Sequence, residues 1–203
     1  MNFIDQFFSE LDKGIDQPVK VILTGAMAGI ILGNIRPSMD IDFEIEFSSL
    51  NKPPENLIQK IEATIQTTSD KLKIPAQYSE SIQEWSQISF LDYRESSTRY
   101  KQIGKVEVRM MSPEHWSVGK IARYLELDEM DVTYVFKKHK IEAERIAEFW
   151  GRALKASSRS DKSREFRDHV VHFFKQNGKK IWKENFNADA VVAVFKSTAG
   201  LAS

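Results

Sequence analysis

Residues 40–46 read Asp40-Ile41-Asp42-Phe43-Glu44-Ile45-Glu46, acids alternating strictly with apolar side chains. Successive side chains of a strand point to opposite faces, so Asp40, Asp42, Glu44 and Glu46 share one face and Ile41, Phe43, Ile45 and Phe47 the other. Residues two apart on a strand lie roughly 7 Å from one another. Asp40 and Asp42 therefore converge on one small volume, where two carboxylates repel unless a cation neutralises them. Hard oxygen donors suit Mg²⁺, and two such ions about 4 Å apart organise phosphoryl or nucleotidyl transfer. The wet face of a half-buried strand is the competing reading. Wet faces usually mix Thr, Lys and Glu, whereas this one is acidic throughout.

Upstream, Val19-Lys20-Val21-Ile22-Leu23 is a short β-rich run that breaks at Thr24-Gly25 into a small-residue helix, Ala26–Leu32, closed by Gly33-Asn34. A glycine where a strand enters a helix lets backbone N–H groups approach a phosphate, although it is more often only the residue that permits the turn. Arg36-Pro37-Ser38-Met39 leads directly into the acids. Glycine turn, helix and Asp-x-Asp strand form one constellation.

Further out, Phe3, Ile4, Phe7, Phe8 and Leu11 predict a helix over 2–14. Pro53 and Pro54 open a second helix carrying Leu57, Ile58, Ile61 and Ile65 and ending before Pro75. A short strand is expected at 76–79, mixed loop and strand near 86–91, and a firm strand at 105–111 around Val106, Val108 and Met110. Ser112-Pro113 caps and starts a helix, and the rest reads as helices at 113–126, 129–139, 141–155, 162–176 and 187–197, with a polar linker at 156–163. The expected class is α+β: a small mixed sheet flanked by helices over 1–112, a helical part over 113–155 completing the site, and a linker with a helical extension over 156–203.

Composition limits the function classes. The chain has 203 residues, 29 basic against 29 acidic, and no cysteine, which excludes disulfides and thiolate metal sites. No apolar run approaches the roughly 20 residues of a membrane span, and the N-terminus does not read as a signal peptide. A cytoplasmic, soluble protein is expected. His169 and His172 share helix spacing without a third ligand. Trp85, Trp116, Trp150 and Trp182 read as packing residues rather than base-stacking platforms. The Lys and Arg residues of 159–183 suit either a solvated helix face or RNA phosphates.

The stretch Leu23-Thr24-Gly25-Ala26-Met27-Ala28 … Asn34-Ile35-Arg36-Pro37-Ser38-Met39-Asp40-Ile41-Asp42-Phe43 resembles the signature of the DNA-polymerase-β-type nucleotidyltransferase superfamily. The branch it is most similar to is that of small bacterial proteins related to abortive-infection toxin nucleotidyltransferases. A looser second stretch runs through Asp92-Tyr93-Arg94, Val106-Glu107-Val108, Ser112-Pro113-Glu114, Lys120-Ile121-Ala122-Arg123 and Asp128-Glu129-Met130-Asp131-Val132. The resemblance spans roughly residues 18–140.

It implies a nucleotidyltransferase fold in which Asp40 and Asp42 hold one or two Mg²⁺ ions, with Glu107 as a third carboxylate. Gly25, Ala26, Arg36, Ser38, Lys120 and Arg123 would meet the nucleotide, and Asp128 or Asp131 would lie at the site as a base. The implied activity moves a nucleoside monophosphate from an NTP to a hydroxyl of RNA, tRNA-like by resemblance, or of protein. Bland readings stand beside these roles: Asp128 as a helix cap, Lys120 and Arg123 as a wet helix face, Glu107 as a solvent-facing strand residue. The chain departs from the pattern at Ala26, where the superfamily carries Gly or Ser. A methyl group there removes a hydroxyl and crowds close backbone approach. The alternative is thus a non-catalytic module of the same fold, paired with an antitoxin-like partner. A metal-dependent nuclease using the same carboxylates is a third reading.

Overall fold

A computed structural model describes residues 3–33, 38, 40–46 and 54–201. The expected strand extension to Phe47 and the helix closure at Asn34 lie outside these residues. The described chain is α+β, with a five-stranded mixed sheet and flanking helices. It divides into two compact units, one of residues 1–30, 36–82 and 94–111, the other of residues 31–35, 83–93 and 112–203. The second unit holds residues 113–155 and 156–203 together, with residues 83–93 among them.

In the first unit the strands are β1 (Val19–Thr24), β2 (Ile41–Glu46), β3 (Ala76–Ser79), β4 (Thr98–Ile103) and β5 (Val106–Met110), in spatial order β3-β2-β1-β5-β4. Strand β1 is antiparallel to β2 and parallel to β5. Helices α1 (Phe3–Gly14) and α3 (Glu55–Leu72) contribute Phe7, Phe8, Ile61 and Ile65 to the core. The Phe43 ring meets those of Phe7 and Phe8 edge-on at 6.0 and 5.4 Å, which is why the apolar half of the alternating segment faces inward.

The region expected as mixed loop and strand near 86–91 holds no strand. Short helices α4 (Gln83–Ser86) and α5 (Tyr93–Ser96) flank it, and the strand lies later, at β4. Strand β4, Thr-Arg-Tyr-Lys-Gln-Ile, is exposed along nearly its whole length at the sheet edge. It therefore lacks the apolar alternation by which a strand is recognised, and its charges suit an unpaired edge.

The second unit is helical: α6 (Pro113–Arg123), α7 (Glu126–His139), α8 (Ala143–Ala156), α9 (Asp161–Trp182) and α10 (Ala188–Ala199). The Ser112 hydroxyl accepts from His115 N, and Ser160 and Ser163 form a reciprocal cap on α9. Its core is aromatic: the Trp150 ring lies 5.5 Å from Phe173 and 5.4 Å from Phe174, with its indole N–H donating to Ser117 Oγ at 2.9 Å. Gly151 lets α8 and α10 approach closely, since a Cβ there would come within 2.9 Å of the Phe195 carbonyl oxygen. Trp116, Trp150 and Trp182 pack as expected, whereas Trp85 is exposed. Helix α2 (Gly25–Leu32) follows β1. No helix among the described residues is long and apolar enough to cross a membrane.

Candidate functional site

The glycine turn and the Asp-x-Asp strand meet in the first unit. Antiparallel pairing puts Thr24 opposite Asp42, so the residue after Thr24 opens α2 beside the Asp42 side chain. Gly25 has φ +64°, a backbone shape that L side chains rarely adopt, and a Cβ built on it would come within 2.8 Å of Asp42 Cγ. Glycine is thus required twice over, by the left-handed turn and by the carboxylate against it. Ala26 follows in the first turn of α2 and is buried.

Asp40 stands just ahead of β2 and is exposed, and Ser38 Oγ donates to its carboxylate. Asp42 is half-buried. Arg36 lies outside the described residues. Asp40 and Asp42 are the donor type that Mg²⁺ uses when one or two carboxylates hold it and substrate phosphates and water complete its shell. Among the described residues no three His, Asp or Glu side chains converge as a metal site.

Glu107 is not brought to this pair. It lies level with Lys20 and Glu46, while Asp42 is level with Thr24, four residues farther along the sheet, about 13 Å away. Its carboxylate is taken by Arg109 at 2.6 Å and Arg99 at 3.3 Å, and the Arg109 hydrogen bond leads in holding its pKa below the usual range.

The acidic face is also not uniformly wet. Glu44 is fully buried, accepting from Arg94 Nε at 2.6 Å and from the Ile82 backbone N–H at 2.9 Å, while Arg94 Nη2 donates to the Glu80 carbonyl at 2.9 Å. Burying a carboxylate without such partners would cost several kcal/mol. Glu44 thus joins β2 to Arg94 and to the backbone at Ile82, and Arg94 in turn holds the Glu80 carbonyl. Residue alternation alone does not reveal this pair; the one available signal is Arg94 in the second stretch of resemblance.

In the second unit Lys120, Arg123, Asp128 and Asp131 come together, as one interior ion cluster. Lys120 is 3% exposed and Asp128 and Asp131 at most 1%. The Lys120 ammonium donates to Asp128 at 3.0 Å and to Asp131 at 2.8 Å and lies over the Trp116 ring at 5.4 Å. Arg123 grips Asp128 with two hydrogen bonds, of 2.7 and 2.6 Å. Burial pushes the Asp128 carboxyl up, but the Arg123 hydrogen bonds and the Lys120 and Arg123 charges outweigh it and hold the group below the usual carboxylate range.

Asp128 also accepts from the Leu125 backbone N–H at 3.2 Å, at the start of α7. The helix begins at Glu126, three residues before the start expected at 129, so Asp128 reaches back to its cap rather than preceding it. Lys120 and Arg123 do not form a wet helix face together, since only Arg123 reaches solvent. His169 stacks on Tyr124 at 4.7 Å and His172 Nδ1 meets the Tyr124 hydroxyl at 2.8 Å, so both serve helix packing.

No family model, no curated protein and no solved structure matches this chain.

Proposed function

We propose that this chain is a Mg²⁺-dependent nucleotidyltransferase that moves a nucleoside monophosphate from an NTP to a hydroxyl group of RNA or protein. The observation that carries the reading is the left-handed turn at Gly25 packed against Asp42 at the start of α2. A phosphate group meeting the first turn of α2 finds backbone N–H donors and the positive end of the helix dipole. Asp40 and Asp42 lie at the adjoining strand start and would hold the metal, which when bound supplies Lewis-acid stabilisation of charge on the phosphate oxygens. Ser38 orients Asp40 through its hydroxyl. Lys120, Asp128 and Asp131 act on this reading by holding α6 to α7, because their charges already satisfy one another away from solvent.

Ala26 favours a second reading, a non-catalytic nucleotidyltransferase-fold module with an antitoxin-like protein partner. Its buried methyl group offers no hydroxyl to a phosphate.

Incubating the protein with each α-labelled NTP, Mg²⁺ and either total RNA or a protein extract tests the first reading. Label should pass to an acceptor with wild type and be lost with Asp42→Asn. Binding of NTP without any transfer would move the balance to the second reading. Absence of Mg²⁺ and NTP binding in both wild type and Asp42→Asn would overturn the first.

A further inference from the structure

Helix α7 turns Asp128, Asp131, Val132, Val135 and Phe136 inward. Its outward side carries Leu127, Met130 and Tyr134, which are 48, 60 and 37% exposed and spaced three and four residues apart. On a helix that spacing makes one continuous stripe. Single exposed apolar residues are ordinary, but a contiguous patch marks an association surface.

Charge decides what covers it. Glu126 stands in the first turn of α7 and Lys137 in the last; both are exposed, and neither has an ion-pair partner among the described residues. Eleven residues separate them, about 16 Å along the axis, and three helical turns bring them back to the same line as Met130. A helix with an acid at one end of an apolar stripe and a base at the other is complementary to itself when reversed. Antiparallel pairing brings each Glu126 against the Lys137 of the other copy, with the two Met130 side chains near the middle. Parallel pairing would oppose like charges.

We propose that this face of α7 joins two copies of the chain in an antiparallel, twofold-symmetric helix pair. The contact is isologous, so both ion pairs form at once. A groove of about 380 Å³ borders the stripe, where Asn177 and Lys180 of α9 face Met130 and Thr133, and it receives apolar side chains of the second copy. One helix from each copy is a small contact, below about 1,200 Å² in total, so association belongs to the weak, concentration-dependent class.

Sedimentation equilibrium of the full chain across the micromolar range tests this. The weight-average mass should climb from 23.4 kDa towards twice that value. Met130→Glu, Glu126→Lys and Lys137→Glu should each weaken association at least about tenfold. The double reversal E126K/K137E should return it to within a few-fold of wild type. Circular dichroism and thermal melting should show every variant folded. A wild type that stays monomeric throughout overturns the proposal, including one that binds a different protein through this face. So does a dimer indifferent to Met130→Glu and Lys137→Glu, or a double reversal that restores nothing.

Discussion

Gly25 and Asp42 pack so tightly that the glycine has no room for a side chain, with Asp42 Cβ and Cγ both within 2.9 Å of where a Cβ would stand. Both the left-handed backbone and the carboxylate packed against it therefore demand glycine at position 25.

Gly25→Ala should consequently cost stability and ligand binding together. The left-handed backbone alone accounts for about 1–2 kcal/mol, and the collision with Asp42 adds to it. Asp42→Asn should leave the melting temperature near wild type while removing Mg²⁺-dependent NTP binding. Calorimetric titration and thermal melting of the two variants separate the effects.

Ala26→Ser places a hydroxyl in the first turn of α2, where the proposed function puts a phosphate group. One added hydrogen bond is worth about 1 kcal/mol, so NTP affinity should rise by a factor of a few. Equilibrium binding of a labelled NTP measures it, and an unchanged or weaker affinity would count against phosphate lying at this turn.

Arg94→Ala should destabilise more than Glu44→Gln. Removing the guanidinium takes the charged donor from a buried carboxylate, a loss of about 2–3 kcal/mol. Glutamine keeps an oxygen for the Ile82 N–H and removes the charge. Urea unfolding of both variants gives the order, and equal effects would mean that Arg94 is not the main partner of Glu44.

Lys120→Met should cost about 3–5 kcal/mol, since it removes the ammonium that two buried carboxylates share. The Asp128 carboxyl adds a pH signature. Its folded pKa lies below the reference value of 3.8, so its contribution is complete above that pH and disappears as pH falls through the folded value. Stability measured by urea unfolding should drop below about pH 4, and Asp128→Asn should flatten that drop.

The elements with a strong period were legible from sequence. Val19–Leu23, Ile41–Glu46, Val106–Met110 and helices α1, α2, α8 and α10 lie within a residue or two of where alternation and 3.6-residue spacing put them, whereas α6 ends three residues before the expected 126, α7 starts three before the expected 129 and α9 runs six past the expected 176. Strand β4 was not, because an exposed edge strand has no apolar face to alternate. The shared face of Asp42 and Glu44 was legible too, but their different environments were not. Glu44 is buried by Arg94, fifty residues away, and no local pattern carries that information.

The acidic strand, the glycine turn and their order along the chain are properties of the sequence by itself, because they follow from local periodicity and from the one residue that tolerates a left-handed turn. Tertiary structure alone decided what each charge does. Strand register set Glu107 four residues along the sheet from Asp42. Packing of α6 against α7 turned Lys120, Asp128 and Asp131 towards one another and away from solvent. Spacing along a chain shows which side chains share a face. Whether that face meets water, a counter-charge or another helix is settled by residues far away in sequence, through burial and electrostatic pairing.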